Sequence, residues 1–149
     1  MQSIRIYEMP DCKMVSSGIG MFGEEQFEQF GEWLSSQPRG IFPKDFLFYD
    51  KNGEKEGFHW VYIYENGMNV PDGFEVIDFK GGLYAVATDI DQRTDENAMR
   101  EEVDKFLCEI GFERDMTRPE LGNIITSPFA RKIMGYDQMD YYTPIKAKV

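Results

Sequence analysis

The pattern of hydrophobic and polar residues occurs twice along the chain. Alternating residues over 4–15 are followed by helical spacing over about 24–34. Alternating residues over 74–86 are followed by helical spacing over about 95–110. Each half then closes with two aromatic strand candidates. The sequence therefore predicts one domain, 1–149, made of two strand–strand–helix–strand–strand units.

The repeats span about 1–69 and 70–149 and meet at a short, turn-rich junction around Asn66-Gly67 and Pro71-Asp72-Gly73. Two amphipathic helices and about eight strands predict an α+β fold, in which the strands form a curved antiparallel sheet with both helices on one face. A cleft on the pseudo-twofold axis is the expected ligand site, because concave seams between packed units favour ligands.

Local signals define the predicted elements. Thr94-Asp95-Glu96 is typical of a helix start, and Gly111 lies where a helix commonly ends. The second helix carries an apolar stripe formed by Met99, Val103, Phe106, Leu107 and Ile110. The strand candidates 46–49 and 58–64 flank the turn signal Asp50-Lys51-Asn52-Gly53, which predicts a hairpin with a loop of more than two residues.

Charge and composition narrow the functional classes. The formal net charge is −11, and the sixteen Lys and Arg residues are scattered, so no nucleic-acid surface is predicted. The same charge favours cationic ligands at low salt and also keeps a small protein in solution. No membrane span or secretory leader is visible, and Cys12 and Cys108 are too few for a disulfide framework. We therefore expect a cytoplasmic protein with reduced thiols.

Signals for catalysis are sparse. His59 is the single histidine, so no multi-histidine metal site is predicted, and no cysteine pair has zinc-finger spacing. Gly18-Ile19-Gly20 and Gly81-Gly82 lack the spacing and the lysine of a phosphate loop. We predict no metal, no cofactor and no nameable catalytic residue.

The remaining candidates for ligand contacts are aromatic residues, of which the chain has twelve Phe, eight Tyr and two Trp. Many lie outside the helix stripes, and in the strand over 58–65 alternation places them on one face. Phe58, Trp60, Tyr62 and Tyr64 share that face, whereas His59, Val61, Ile63 and Glu65 share the other. Aromatic rings pack cores and also bind cations, so both a core role and a pocket role stay open for this strand.

Four segments resemble a known family, the gyrase-inhibitor-like effector-binding domains. They are Val70–Val86 with its Gly-Gly-Leu-Tyr-Ala-Val turn and strand, Phe106–Phe112, Arg118-Pro119-Glu120-Leu121, and Met139–Lys146 with its Pro-apolar-Lys ending. The resemblance covers essentially the whole chain and implies the duplicated architecture described above. Members of the family form the ligand-binding halves of AraC-type and MerR-type regulators, and some are standalone proteins. This chain begins at the first strand and so resembles the standalone type.

The resemblance implies an aromatic-lined pocket for lipophilic, often cationic compounds, with a buried acid as counter-charge. The family acid after Arg-Pro falls on Gly122 in this chain, and Glu120 is the nearest acid, with a cleft role and a solvated role both open. His59 replaces an acid found in some members near the start of the fourth strand. If the family register holds, His59, Val61 and Ile63 face the pocket and Trp60 lies behind them.

Three functions are therefore considered. The first is a small-molecule sensor or sequestering protein, with the pocket contacts His59, Trp60, Tyr62, Glu120 and Tyr142. The second is a hydrolase of the same fold, since some standalone members resemble hydrolases of cyclopropane-bearing toxins. The third is an inhibitor that binds a protein partner such as gyrase through its acidic surface. We favour the first hypothesis.

Overall fold

The computed structural model of the protein describes residues 3–50 and 56–149 and contains two compact units. The N-unit comprises Asp11–Lys80, and the C-unit comprises the chain up to Pro10 together with Gly81–Val149. In chain order the elements are β1 (Arg5–Met9), β2 (Cys12–Gly20), α1 (Glu25–Ser35), β3 (Asp45–Asp50), β4 (Gly57–Ile63), β5 (Glu75–Phe79), β6 (Gly82–Ile90), α2 (Glu96–Ile110), β7 (Phe112–Arg114), β8 (Leu121–Ile124), α3 (Pro128–Met134) and β9 (Gln138–Ala147). Antiparallel strands and helices together confirm the predicted α+β class.

The N-unit is an antiparallel sheet with strand order β3–β4–β2–β5. Helix α1 lies against one face of this sheet, where Val15, Phe30 and Tyr62 form a buried cluster. The helix agrees with the predicted span over about 24–34. Strands β3 and β4 pair as predicted, but residues 51–53 of the expected turn lie outside the described residues.

The C-unit is an antiparallel sheet with strand order β1–β6–β9–β8, and β7 also pairs with β9. Helix α2 begins after Asp95, whose side chain accepts a hydrogen bond from the Ala98 amide, and ends at Gly111 in a left-handed conformation. The core under α2 consists of Ala85, Ala87, Met99, Val103, Leu107 and Ile145. Of the predicted stripe, Ile110 is the exception, because it is 40% exposed at the last turn.

Each compact unit contains the first strand of the other sequence repeat. Strand β1 opens the first repeat but pairs with β6 of the second, and β5 opens the second repeat but pairs with β2 of the first. The boundaries of the compact units, at Pro10/Asp11 and Lys80/Gly81, consequently differ from those of the sequence repeats 1–69 and 70–149. The single domain over 1–149 stays a prediction.

Helix α3 is an addition to the two predicted helices. The Ser127 hydroxyl accepts a hydrogen bond from the Ala130 amide, Pro128 occupies the first turn, and Gly135 ends the helix with φ +83°. Seven residues are too few for helical periodicity to stand out in the sequence. Nowhere in the described part of the chain is a helix long and apolar enough to cross a bilayer.

Candidate functional site

Each sheet has one face against its helix and one opposite face, because side chains alternate along strands. In the C-unit, Leu83, Ala85 and Ala87 face α2. The opposite face is here called the Asp140 face and carries Arg5, Tyr7, Tyr84, Val86, Thr88, Leu121, Asn123, Asp140 and Tyr142. In the N-unit, the face opposite α1 is called the His59 face and carries Met14, Ser16, Phe46, Phe48, His59 and Val61.

Asp140 is the centre of the Asp140 face. Its carboxylate Oδ1 accepts hydrogen bonds from Arg5 Nη2 at 2.9 Å and from Thr88 Oγ1 at 2.5 Å. The same Arg5 Nη2 lies 2.8 Å from Thr88 Oγ1, so the three side chains form one connected cluster. The side chain of Asp140 is 7% exposed, whereas that of Arg5 is 37% exposed. A charge as buried as this carboxylate needs a partner, and Arg5 supplies it.

The strand register explains how these residues meet. Asp140 lies opposite Thr88 where β9 pairs with β6, and Arg5 lies opposite Val86 where β1 pairs with β6. Arg5 is therefore the diagonal neighbour of Thr88, and its long side chain extends across β6 to reach Asp140 on the next strand.

Three tyrosine rings continue the cluster along the Asp140 face. The Tyr7 and Tyr142 rings lie edge to face with centroids 6.2 Å apart, and the Tyr142 and Tyr84 rings lie 5.8 Å apart. A cation stands at each end of this row, since Arg5 Cζ is 5.1 Å from the Tyr7 centroid and Arg118 Cζ is 4.8 Å from the Tyr84 centroid. Aromatic faces beside a carboxylate are the chemistry that attracts organic cations.

Burial changes the acidity of two of these phenols. It raises the pKa of Tyr142 to about 12, and the neighbouring charge of Asp140 adds to the effect. Burial also raises the pKa of Tyr84, while Arg118 opposes this with a smaller lowering effect. Within the described residues the buried Tyr84 hydroxyl makes no hydrogen bond of good geometry. The Asp140 face thus keeps neutral phenols next to a charged carboxylate.

Arg118 has a structural role at the other end of the tyrosine row. Its side chain is 6% exposed, its Nη2 donates to the carbonyl oxygens of Leu83 and Ile145, and its Nε donates to Asp115. Gly82 has φ +146°, and a Cβ there would come within 2.7 Å of Arg118 Cζ. The Gly-Gly-Leu and Arg-Pro segments of the sequence therefore contact each other, and a side chain at position 82 would collide with the Arg118 guanidinium.

The His59 face has a different constellation. The His59 ring stacks on Phe48 with centroids 4.7 Å apart and an interplanar angle of 16°. Its Nε2 lies 3.2 Å from Asp50 Oδ2, and its Nδ1 lies 3.4 Å from Ser16 Oγ. Ser16 as a residue is only 2% exposed, and its hydroxyl oxygen accepts a hydrogen bond from the Gly18 amide. This histidine is held in place by a ring and two polar partners.

Two of the five predicted contacts, Trp60 and Tyr62, lie in the layer against α1. The Trp60 ring is 5.4 Å from Phe30, and its Nε1 donates to Asp45 Oδ2 at 3.0 Å. Tyr62 is buried, with its ring 5.6 Å from that of Trp33. Both rings pack the N-unit core, on the face of β4 opposite to His59.

Glu120 and Tyr142 both lie in the C-unit but not in one cluster. The Glu120 carboxylate is 53% exposed and accepts hydrogen bonds from Arg114 Nη1 at 3.0 Å and Arg100 Nη2 at 3.3 Å. Arg114 also lines a groove of about 370 Å³ between α2 and β7. Tyr142, in contrast, lies on the Asp140 face.

Sequence reasoning did not select Asp140, Arg5 or Thr88 as site residues. A signal was present, since Asp140 alternates with Tyr142 inside a strand of apolar and aromatic residues. An acid on the buried face of such a strand is costly unless it has a partner. That partner is far away in the sequence, so the pattern alone does not reveal it.

No protein-family model matches the chain, and no curated protein matches it. Solved structures do match over almost the whole chain. The C-terminal domain of EcmrR has a TM-score of 0.62 at 11% identity, covering 100% of this chain and 99% of that chain. In an EcmrR–DNA complex the TM-score is 0.64 at 11% identity, and the match covers 99% of this chain but only 58% of the longer EcmrR chain.

Two further structures have the same fold. A hydrolase from Listeria innocua has a TM-score of 0.69 at 8% identity, covering 96% of this chain and 91% of that chain. SAV2435, solved bound to tetraphenylphosphonium, has a TM-score of 0.54 at 13% identity, covering 97% and 94%. The protein therefore has the α+β fold of the gyrase-inhibitor-like effector-binding domains, the family that its sequence resembles.

Proposed function

We propose that the protein binds a small lipophilic cation on the Asp140 face. The observation that carries this proposal is the Asp140 carboxylate, which is 7% exposed and lies beside a row of tyrosine rings. A ligand cation would pair with Asp140 and stack on Tyr7, which is 38% exposed, and on the edge of Tyr142. The net charge of −11 adds a long-range attraction for cations.

Proteins of the same fold support this choice of ligand class. SAV2435 was solved with tetraphenylphosphonium, a lipophilic cation, and the domain of EcmrR that resembles this chain is part of a DNA-binding protein. We assign an effector-binding role to this chain on that basis and on the chemistry of the Asp140 face. Fold similarity alone would not be sufficient, because one fold serves many functions.

The predicted contacts take different roles in this proposal. Tyr142 forms a wall of the site, whereas His59 lies on the His59 face of the N-unit and is given no part in it. Trp60 and Tyr62 support β4 from the α1 side, because both rings pack against α1. Glu120 is already paired with two arginines at the surface, so we give its carboxylate no ligand role.

Calorimetric titration with tetraphenylphosphonium and with a neutral aromatic of similar size tests the proposal. We expect saturable binding of the cation, and a loss of at least about tenfold in affinity, or about 1.4 kcal/mol, for Asp140→Asn. Glu120→Gln removes a carboxylate away from the Asp140 face and is expected to change affinity less than about twofold.

Asp140→Asn leaves Arg5 without its charged partner, so the fold of this variant must be checked by circular dichroism. Tyr7→Leu provides a second variant at an exposed edge position, with an expected loss of a few-fold in affinity for the cation. Equal affinity of the wild type for the cation and the neutral aromatic, or no saturable binding of either, would refute the proposal.

Hydrolysis is a second candidate function, favoured by one observation on the His59 face. Asp50, His59 and Ser16 form a chain of an acid, a base and a hydroxyl, with distances of 3.2 and 3.4 Å. Ser16 is nearly inaccessible, and its oxygen already accepts the Gly18 amide, which places this candidate second. Turnover of an activated ester that is lost in both Ser16→Ala and His59→Gln would move it to first place.

We place the protein in the cytoplasm, with both thiols reduced. Cys12 and Cys108 are free, and free thiols are typical of reducing compartments.

A further inference from the structure

We propose that Arg5 is a built-in occupant of the cation site, so that a cationic ligand binds the Asp140 face only after it displaces the Arg5 side chain. This inference rests on the proposed function and adds a competing group to it. Arg5 would therefore set both the affinity of the site and the kind of cation that it selects.

Arg5 makes the contacts that a bound organic cation would make. Its Nη2 donates to Asp140 and to Thr88, and its Nη1 donates to the Tyr7 hydroxyl at 2.6 Å. Its Cζ lies 5.1 Å from the centroid of the Tyr7 ring. One guanidinium thus uses the carboxylate, a hydroxyl and an aromatic face at the same time.

The Arg5 side chain is able to leave this position without unfolding the strand. The backbone of β1 is held by its antiparallel pairing with β6, from Arg5–Val86 to Met9–Gly82, and this pairing does not depend on the guanidinium. The side chain is 37% exposed, so its charged end can turn into water, as long charged side chains do.

Arg118 at the opposite end of the tyrosine row provides a contrast inside the same unit. It is 6% exposed, donates to two carbonyl oxygens and pairs with Asp115. Displacement of Arg118 would leave these buried backbone groups unpaired, which is costly. Of the two cations beside the tyrosine row, Arg5 is therefore the displaceable one.

Competition with Arg5 reduces the apparent affinity for a ligand by the fraction of molecules in which the site is open. This reduction applies to any ligand that needs Asp140 or the face of the Tyr7 ring over which Arg5 lies. Because Arg5 Nη2 donates to both Asp140 and Thr88, a planar cation with N–H donors replaces it more completely than a cation without them. Amidinium and guanidinium compounds carrying an aromatic group fit this description.

Calorimetric titration of the wild type and Arg5→Ala with benzamidine, and in parallel with tetraphenylphosphonium, tests the inference. We expect Arg5→Ala to bind both cations about tenfold or more tightly, with the larger gain for benzamidine. Arg93→Ala is the matched control, because Arg93 is an exposed arginine over the Tyr136 ring and carries the same charge away from Asp140. Its affinities are expected to stay within about twofold of wild type.

Two further variants make the result specific. Arg5→Gln keeps a polar side chain that is shorter and uncharged, and it should also bind the cations more tightly than wild type if Arg5→Ala proves unstable. The double variant Arg5→Ala with Asp140→Asn should lose the gain, because the vacated site then lacks its counter-charge.

The possible outcomes separate this inference from the proposed function. If the wild type binds the cations and Arg5→Ala and Arg5→Gln bind them equally or more weakly with intact folds, Arg5 is not a competitor and the inference is overturned, while the proposed function stands. If no variant binds either cation, the proposed function fails and the inference fails with it.

Discussion

His59 of the N-unit and Asp140 of the C-unit occupy equivalent positions in the repeated topology. Strand β4 of the N-unit pairs with β2 and β3, and strand β9 of the C-unit pairs with β6 and β8. His59 lies two residues before the buried Val61 in β4, and Asp140 lies two residues before the buried Tyr142 in β9. His59 stacks on a phenylalanine ring, whereas Asp140 binds a guanidinium and a hydroxyl. The repeat has therefore preserved strand pairing, while the face opposite the helix carries different chemistry in each unit.

The layers against the two helices also differ. The N-unit layer is aromatic, with Phe30 in ring contact with Trp33, Trp60 and Phe74. The buried members of the C-unit layer are non-aromatic, Leu107 among them, and the aromatic rings that pack against them are only partly buried. The same arrangement of strands and helix thus accepts two kinds of core, which suggests that pattern and volume matter more here than residue type.

The largest expected effect comes from a cavity in the aromatic layer. Phe30 is fully buried, so Phe30→Ala should lower the free energy of unfolding by about 3–5 kcal/mol. Leu107→Ala is the matched variant in the C-unit layer, with an expected loss of about 2–5 kcal/mol. Urea denaturation followed by tryptophan fluorescence and by far-ultraviolet circular dichroism measures both.

The two probes sharpen the comparison between the units. Both tryptophans, Trp33 and Trp60, lie in the N-unit, so fluorescence follows that unit while circular dichroism follows the whole chain. We expect coincident transitions in the wild type. A Phe30→Ala transition that moves in fluorescence but not in circular dichroism would contradict this and would show that the two units unfold separately.

The second expected effect is a loss of stability at alkaline pH, and it concerns the Asp140 face alone. Burial raises the pKa of Tyr142 from 10.0 to about 12, so the folded state holds the phenol proton more tightly than the unfolded state. Stability from this residue is complete below pH 10 and is lost as the pH rises towards 12. Across that window the wild type should lose on the order of 2–3 kcal/mol more than Tyr142→Phe.

Urea denaturation of both proteins at several pH values between 9 and 12 measures this difference. The equivalent residue in the N-unit, Val61, does not titrate, so Val61→Ala should lower stability equally at every pH in the series. Parallel pH curves for the wild type and Tyr142→Phe would show that the phenol of Tyr142 is accessible to water in the folded state.

The sequence was sufficient for the two long helices but not for the short helix α3 or for the partners of the strands. Periodicity and capping residues located α1 and α2 because these signals are local, as at Asp95 and Gly111. The exchange of β1 and β5 between the units is a non-local pairing, and alternation says nothing about it. For the same reason Arg5 could not be matched with Asp140.

The strand over 58–65 shows a second limit. Alternation correctly divided it into two faces, but it could not say which face packs against a helix. The aromatic residues Trp60 and Tyr62 were chosen for their chemistry, and both pack against α1. The family register had placed Trp60 behind the strand face that carries His59, and the Trp60 ring does lie on the α1 side of the strand.

The smallest expected effect compares two acids at equivalent positions, Asp45 directly before Phe46 and Glu120 directly before Leu121. Asp45 is partly buried and accepts the Trp60 indole N–H, and burial raises its pKa above the ordinary value of 3.8. A raised pKa means that this residue favours the folded state below pH 3.8 and that the contribution is lost as the pH rises through the higher, folded-state pKa. Asp45→Asn keeps an acceptor oxygen for Trp60 and removes the charge. It should therefore be more stable than wild type at pH 7, with the difference disappearing on acidification to below pH 4.

Glu120→Gln is the control for this prediction, because its carboxylate is exposed and paired with arginines. It should change stability by less than about 1 kcal/mol. Thermal denaturation of both variants and the wild type at pH 7 and below pH 4 measures these differences. If Asp45→Asn is less stable than wild type at pH 7, the hydrogen bond from the Trp60 indole must stabilise the fold only when its acceptor is the ionised carboxylate of Asp45. The N-unit would then depend on a buried charge near its helix, as the C-unit depends on one on its opposite face.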